Sequence, residues 1–177
     1  MKTRDLELYK QLHIQDNHYG STPTGHFDRI SNFIATQNPK SILDFGCGKG
    51  TMGNLLKKAH PGVLIHSYDP AIKEYESIPN SRYDMVITTD VLEHLYEDEI
   101  TGIFEEILKL NPSSMYHVIC HRLAYAKLPD GSNAHKTVQS PEWWADRLKQ
   151  ILDSQFAVTY TNQGVESGYF EIVKQLD

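Results

Sequence analysis

The sequence predicts an α/β protein built on a doubly wound sheet, mostly parallel, with an antiparallel hairpin at its C-terminal end. Two observations predict it. Between residues 41 and 120, short apolar runs alternate with stretches of helical periodicity, the pattern of parallel strands joined by right-handed crossovers. In the last third the pattern changes to two runs of alternating polarity, 156–161 and 169–173, separated by a short polar turn, which reads as a hairpin.

The elements follow in order. Leu6, Tyr9, Leu12 and His13 recur at helical spacing, so residues 3–14 read as a short amphipathic helix. Turn residues make 18–25 a loop. Thr24 is placed to cap a helix running to Gln37, with Phe27, Ile30, Phe33 and Ile34 on its apolar face and Pro39 ending it. Strands are expected at 41–45, 63–68, 83–88 and 115–120, with helices at 49–59 and 96–110 between them. A loop spans 121–139. Ser140-Pro141 then opens a helix to about residue 152, with serine as N-cap and proline at the first helical position.

Bulk properties narrow the function. The chain has 177 residues, 40% of them hydrophobic and 23% charged, with a net charge of −6. That is one globular domain. Lysines and arginines are scattered, so the basic stripe of a nucleic-acid reader is missing. The expected partner is therefore a small molecule. Cys47 and Cys120 read as reduced thiols of an intracellular protein. No apolar run approaches the roughly 20 residues that span a bilayer, and the N-terminus has no apolar signal core. The expectation is a cytoplasmic protein without membrane attachment. Nothing in the chain indicates its oligomeric state.

Ligands of open α/β sheets bind beyond the carboxyl ends of the strands, and all four parallel strand ends carry something notable. The first gives Asp44-Phe-Gly46-Cys-Gly48-Lys-Gly50. Its glycines let backbone approach a ligand, and the next helix offers free N–H groups. A second register is open here. Gly48-Lys-Gly50-Thr-Met-Gly53 matches G-x-G-x-x-G, with Asp69 about 20 residues on, as in a dinucleotide site. That register starts three residues late, and the chain has no room for a separate substrate domain. The second strand end gives Tyr68-Asp69-Pro70, an acid suited to ribose hydroxyls. The third runs Asp90-Val-Leu-Glu93-His94. The fourth gives Cys120-His121-Arg122 and leads into Asp130, Asn133, His135 and Trp143-Trp144.

Taken together, the glycine turn, Tyr68-Asp69-Pro70 and Tyr83-Asp-Met-Val-Ile-Thr-Thr-Asp90-Val-Leu-Glu93-His94 resemble the class I S-adenosylmethionine-dependent methyltransferases over roughly residues 40–120. The resemblance implies a Rossmann-like sheet. It implies that Asp44, Gly46, Cys47 and Gly48 hold the methionine part of S-adenosyl-L-methionine, that Asp69 holds the ribose, and that Pro70 packs on adenine, with Ile72 a further packing candidate. Asp90 and Val91 would lie near the methionine end, with Glu93 and His94 at the rim where the methyl group is presented. It also implies an N-terminal helical lid, residues 1–38, carrying Tyr19 over the cofactor, ahead of a methyltransferase domain at 39–177. The chain departs from the family between the second and third motifs. Residues 70–82 are too few for a helix, strand and helix, so the third strand of the usual sheet is expected to be missing.

On the acceptor side, His135, His121 and His94 are the candidate catalytic bases, because a near-neutral imidazole can take a proton from a hydroxyl or amine. Arg122 suits a carboxylate or phosphate, and the two tryptophans are candidate pocket walls. No recognised metal-ligand spacing occurs, so no metal is expected. The reading is a methyltransferase acting on oxygen or nitrogen of a small molecule. The alternative is a protein that binds S-adenosylmethionine without transferring its methyl group.

Overall fold

The computed structural model describes residues 3–21, 24–161 and 166–175. Six strands form one sheet: β1 (Ser41–Phe45), β2 (Leu64–Tyr68), β3 (Met85–Thr89), β4 (Ser114–Cys120), β5 (Phe156–Thr161) and β6 (Ser167–Lys174), in the order β2-β1-β3-β4-β6-β5. The first four are mutually parallel, β6 runs antiparallel to β4, and β5 antiparallel to β6. β2 is thus an edge strand. Between it and β3 lies a single 3₁₀ turn, Lys73–Tyr75, so the expected third strand is indeed missing.

Strand periodicity sends alternate side chains to opposite faces, and each face is covered by two helices. Ile42, Met85, Ile87, Tyr116 and Val118 pack against Ile30, Phe33 and Ile34 of α2 (Phe27–Gln37) and Met52 and Leu56 of α3 (Thr51–Ala59). Leu43, Phe45, Val86, Met115 and Ile119 pack on the other face, against α4 (Ile100–Lys109) and α5 (Pro141–Leu152). β3 and β4 are buried along their whole length, as expected for central strands covered on both faces. α1 (Leu6–Gln15) stands apart from both layers, burying Leu12 against Leu128 and Ala134.

Several boundaries differ from expectation, each for a local reason. α2 begins at Phe27, after a 3₁₀ turn at Thr24–His26, and its N-cap residue is His26; the expected Thr24 cap rests on a side chain outside the described ones. α2 itself belongs to the sheet core, through Ile30, Phe33 and Ile34. α3 starts at Thr51 because Gly46, Gly48 and Gly50 all have positive φ, which keeps the turn non-helical up to that point. α4 starts at Ile100, since Tyr96–Glu99 close their own turn, with the Glu99 carboxylate accepting from the Tyr96 N–H at 3.0 Å. α5 begins where expected: the Ser140 hydroxyl accepts from the Trp143 N–H at 3.2 Å, a cap that contributes about 1 kcal/mol.

Candidate active site

The carboxyl ends of β1–β4 open onto one cavity of about 630 Å³, well inside the roughly 300–1,000 Å³ range of small-molecule sites. Nine of the twelve residues expected at the site line it: Tyr19, Gly46, Gly48, Asp69, Pro70, Asp90, Val91, His94 and His135. The glycine turn and the polar strand ends therefore converge on a single space. Asp44, Cys47 and His121 are placed elsewhere.

Asp44 lies beneath the glycine turn, 1% exposed. It sits on the α3 face of β1, where its carboxylate accepts from the Gly53 N–H at 3.1 Å. Its position pins the start of α3 to the strand. Gly53 permits that contact, because a β-carbon there would lie 2.7 Å from Ser67 Oγ and 3.0 Å from the Asp44 carboxylate. Burial pushes the Asp44 carboxyl up to about 7, against the lowering effect of the Gly53 N–H. Cys47 is buried under the same turn. Its N–H and that of Gly46 both donate to the Tyr68 carbonyl, at 3.0 and 2.7 Å, which ties the β1 turn to the end of β2.

Asp69 is oriented from two sides. One carboxylate oxygen accepts from the Gly48 N–H and the other from the Ala71 N–H, both at 2.8 Å. Each oxygen keeps a lone pair for a further donor. Gly48 also meets the segment that follows α1: a β-carbon there would stand 2.3 Å from the Gly20 carbonyl, which instead accepts from the Lys49 N–H at 3.0 Å. Tyr19 is carried on this segment, edge-on to His13 at 4.8 Å. Ile72 does not reach the cavity lining.

The opposite end is made of side chains from distant parts of the chain. His94 ends a 3₁₀ turn, Leu92–His94, after β3. Its Nδ1 is 2.8 Å from the Ala134 carbonyl, and His135 Nδ1 is 2.6 Å from the Arg122 carbonyl. A carbonyl only accepts, so each Nδ1 carries the proton and each Nε2 keeps a lone pair. The two rings meet edge to face, 4.7 Å between centroids. Burial, reinforced by His135, pushes His94 down to about 3. Burial also lowers His135, against the raising effect of its hydrogen bond to the Arg122 carbonyl. Both are neutral at pH 7. Asp90 adopts φ 54° at the end of β3 and lies 3.8 Å from His26 Nε2; burial raises its carboxyl, with His26 and Arg122 opposing.

Glu93 departs from its expected place at the rim. It is 0% exposed, below the cavity floor, where Oε1 accepts from the Cys120 N–H at 3.0 Å. Burial and the neighbouring Asp90 hold its carboxyl well above the usual carboxylate range. His121, one residue beyond β4, turns away from the cavity and packs against Gly168, where a β-carbon would stand 2.6 Å from its Nε2. Trp143 and Trp144 belong to the core under α5 and do not wall the cavity. Arg122 does line it, with its guanidinium 4.0 Å above the Tyr125 ring and its Nε 2.9 Å from Glu166.

The sequence left other cavity residues unread. Tyr9 appears in the sequence only as an apolar helix position, yet its hydroxyl lies 2.7 Å from the Ala134 carbonyl and 3.0 Å from that of His94. His13, His18 and His26 also line the cavity, which makes five of the nine histidines in the chain. That enrichment of histidine was visible in the composition, but its convergence depends on tertiary folding.

Comparison with known proteins agrees with this geometry. A family model described as a methyltransferase domain matches residues 18–153. The chain belongs to this family, the class I S-adenosylmethionine-dependent methyltransferases, and S-adenosylmethionine is its cofactor. No curated protein sequence matches the chain. Among solved structures it is similar to a complex of DhpI with S-adenosylhomocysteine, at 14% identity and TM-score 0.67, covering 96% of each chain. It is also similar to the 1,6-didemethyltoxoflavin N1-methyltransferase of Burkholderia thailandensis, at 14% identity and TM-score 0.65, covering 95% of this chain and 88% of that one. A third is the magnesium protoporphyrin IX methyltransferase of Synechocystis, at 17% identity and TM-score 0.60, with coverages of 86% and 83%. At these identities the structural likeness defines the fold.

Proposed function

We infer that the protein transfers a methyl group from S-adenosylmethionine to an oxygen or nitrogen of a small-molecule acceptor, with His135 taking the acceptor's proton. The observation that carries this reading is the cavity itself. It joins Asp69 and the glycine turn at one end to a neutral histidine pair at the other.

The donor end suits the cofactor. Asp69 is held with one free lone pair on each oxygen, the arrangement that would accept from the two ribose hydroxyls. Pro70 would meet the adenine, Gly46 and Gly48 the methionine part, and Asp90 and Val91 its inner end, with Tyr19 covering it. When bound, S-adenosylmethionine supplies a methyl group already activated by a positively charged sulfur. What remains for the chain is alignment and proton removal. His135 suits the second task better than His94, whose pKa of about 3 makes it a weak base. The Arg122 carbonyl fixes the tautomer that leaves His135 Nε2 ready to accept.

A filled space beyond Asp90 would have favoured a cofactor-binding protein without transferase activity. The cavity runs on instead to Arg122, Tyr125 and Tyr169, which leaves room for an acceptor. The two buried free cysteines suit a reducing compartment, so the same reading has the protein act in the cytoplasm; no described helix is long and apolar enough to cross a membrane. Titration calorimetry with S-adenosylhomocysteine tests the reading. Micromolar binding is expected, together with transfer of labelled methyl to members of a panel of small hydroxyl, amine and carboxylate compounds. Absence of binding at millimolar ligand would overturn it.

A further inference from the structure

Beneath the histidine pair, the side chains of Glu93, Cys120 and His135 each offer one ligand atom, and these atoms lie within 4.8 Å of one another. We propose that they form a binding site for a divalent transition-metal ion of the zinc type, with its remaining coordination position facing the cavity. The role in the acceptor half rests on the methyltransferase reading above; the metal site itself does not.

Three features carry the proposal. The first is chemical. One sulfur, one nitrogen and one oxygen donor is a set that suits zinc, whereas magnesium and calcium favour oxygen alone. Three protein ligands with a fourth position open is the arrangement of catalytic zinc sites.

The second is an unexplained atom. Glu93 Oε2 is fully buried and has no hydrogen-bond partner among the described residues, although Oε1 of the same carboxylate is bonded to the Cys120 N–H. A buried carboxylate oxygen left without a partner is costly, and a bound ion is one of the few things that relieves it.

The third is the support behind the ligands. The Glu93 carbonyl accepts from both the Lys136 and Thr137 N–H groups, at 2.8 and 3.0 Å. This stitches the loop carrying His135 to the turn carrying Glu93. The Arg122 carbonyl holds His135 Nδ1–H at 2.6 Å and so points Nε2 outward, the outer hydrogen bond that metal-bound histidines usually make. Cys120 ends a rigid central strand.

Cys120 and His135 line the cavity, while Glu93 lies beneath its floor. An ion held by all three therefore presents its open side to the acceptor, where an acceptor oxygen or nitrogen would coordinate. His135 Nε2 is then a metal ligand in place of a proton acceptor, so with the ion bound the acceptor's proton would be lost to solvent after the ion lowers its pKa, and the base role assigned to His135 above applies to the metal-free protein.

Cobalt(II) is the probe. The full chain, freed of metal with a chelator and titrated with cobalt(II), should bind one equivalent and show a thiolate-to-cobalt absorption in the near ultraviolet that zinc abolishes. Cys120→Ser should remove that absorption. Glu93→Gln should weaken cobalt binding by more than about 10-fold, the lower bound for loss of a mere outer partner, while keeping the sulfur band at saturation. X-ray absorption at the zinc edge needs no variant, and should find one sulfur at about 2.3 Å. A shell of oxygen and nitrogen alone would overturn the site, as would a sulfur band that survives in Cys120→Ser. S-adenosylhomocysteine calorimetry on the same preparation separates the two readings. Cofactor binding without a metal overturns only the metal site. Metal binding without cofactor overturns only the methyltransferase reading.

Discussion

The two ends of the cavity are built from different materials. At the end proposed for the donor, backbone does most of the work: three positive-φ glycines at alternate positions, a carbonyl that collects two N–H groups, and an aspartate held by two more. Every part lies within a few residues of the end of β1 or β2. At the end proposed for the acceptor, the work falls to side chains drawn from residues 9 to 169, among them Tyr9, His94 and His135, which are held by carbonyls of other segments. Backbone geometry suits a ligand that never changes. Side chains held on loops can be exchanged without disturbing the sheet, and this suits an acceptor that differs from one family member to the next.

If that division holds, damage to one end should leave the other intact. The largest effect is expected from His135→Ala. Loss of a positioned proton acceptor typically costs 10²–10⁴-fold, so kcat should fall by roughly that factor. Affinity for S-adenosylhomocysteine should stay within about 3-fold, because the substitution adds no new charge and leaves Asp69 and the glycine turn untouched. Paired loss of turnover and cofactor affinity would break the division. Asp69→Ala is the converse. Removing a carboxylate that serves two hydroxyls should weaken S-adenosylhomocysteine by roughly 100-fold in calorimetry. Turnover at saturating donor should change little. Unchanged affinity would mean that the ribose is held elsewhere.

The same contrast explains what could be read in the sequence. The donor end was legible because its requirements are local. Glycine at 46, 48 and 50 and acid at 69 are fixed by neighbours in the chain, and their spacing carries the information. Even there, the side chains of Asp44 and Cys47 lie beneath the turn and do not line the cavity. Spacing says that a residue is needed, but the strand's alternation decides which face it serves, and position 44 points to α3. The sheet, its missing third strand and its hairpin were legible for the same local reason. The acceptor end was only half legible. His94 and His135 could be named as titratable groups in loops, but nothing distinguished them from His121. That separation depends on whether the chain beyond β4 turns toward the cavity or toward Gly168. Tyr9 left no signal, since a tyrosine at a helical apolar position looks like core. The burial of Glu93 was likewise unreadable, because it depends on Lys136 and Thr137 folding back over its carbonyl.

The smallest effect concerns stability, where two buried groups outside the cavity, one beneath the glycine turn and one in the sheet core, should pull in opposite directions with pH. Beneath the turn, burial raises the Asp44 carboxyl to about 7. Its folded pKa lies above the unfolded value of roughly 3.9, so the native state holds the extra proton. Its contribution is complete below that lower value and is lost as pH rises through about 7. In the sheet core, β4 carries His117, 0% exposed, with Nδ1 2.8 Å from the Thr88 hydroxyl and its ring against Phe104. Burial pushes it down to about 3. There the unfolded chain takes the proton first, so stability is complete above roughly pH 6.5 and is lost as pH falls toward 3. Between pH 7 and 5 the His117 contribution should fall by about 2 kcal/mol. Between pH 4 and 6.5 the two groups offset one another, and single variants should expose each slope. His117→Asn keeps a polar group facing Thr88 and should lose less stability than the parent when denaturation is compared at pH 7 and pH 5. Asp44→Asn still accepts from the Gly53 N–H and should gain stability, relative to the parent, as pH rises from 4 to 7. If both variants shift the profile in the same direction, burial does not set the protonation of these two groups oppositely, and the opposed slopes are ruled out.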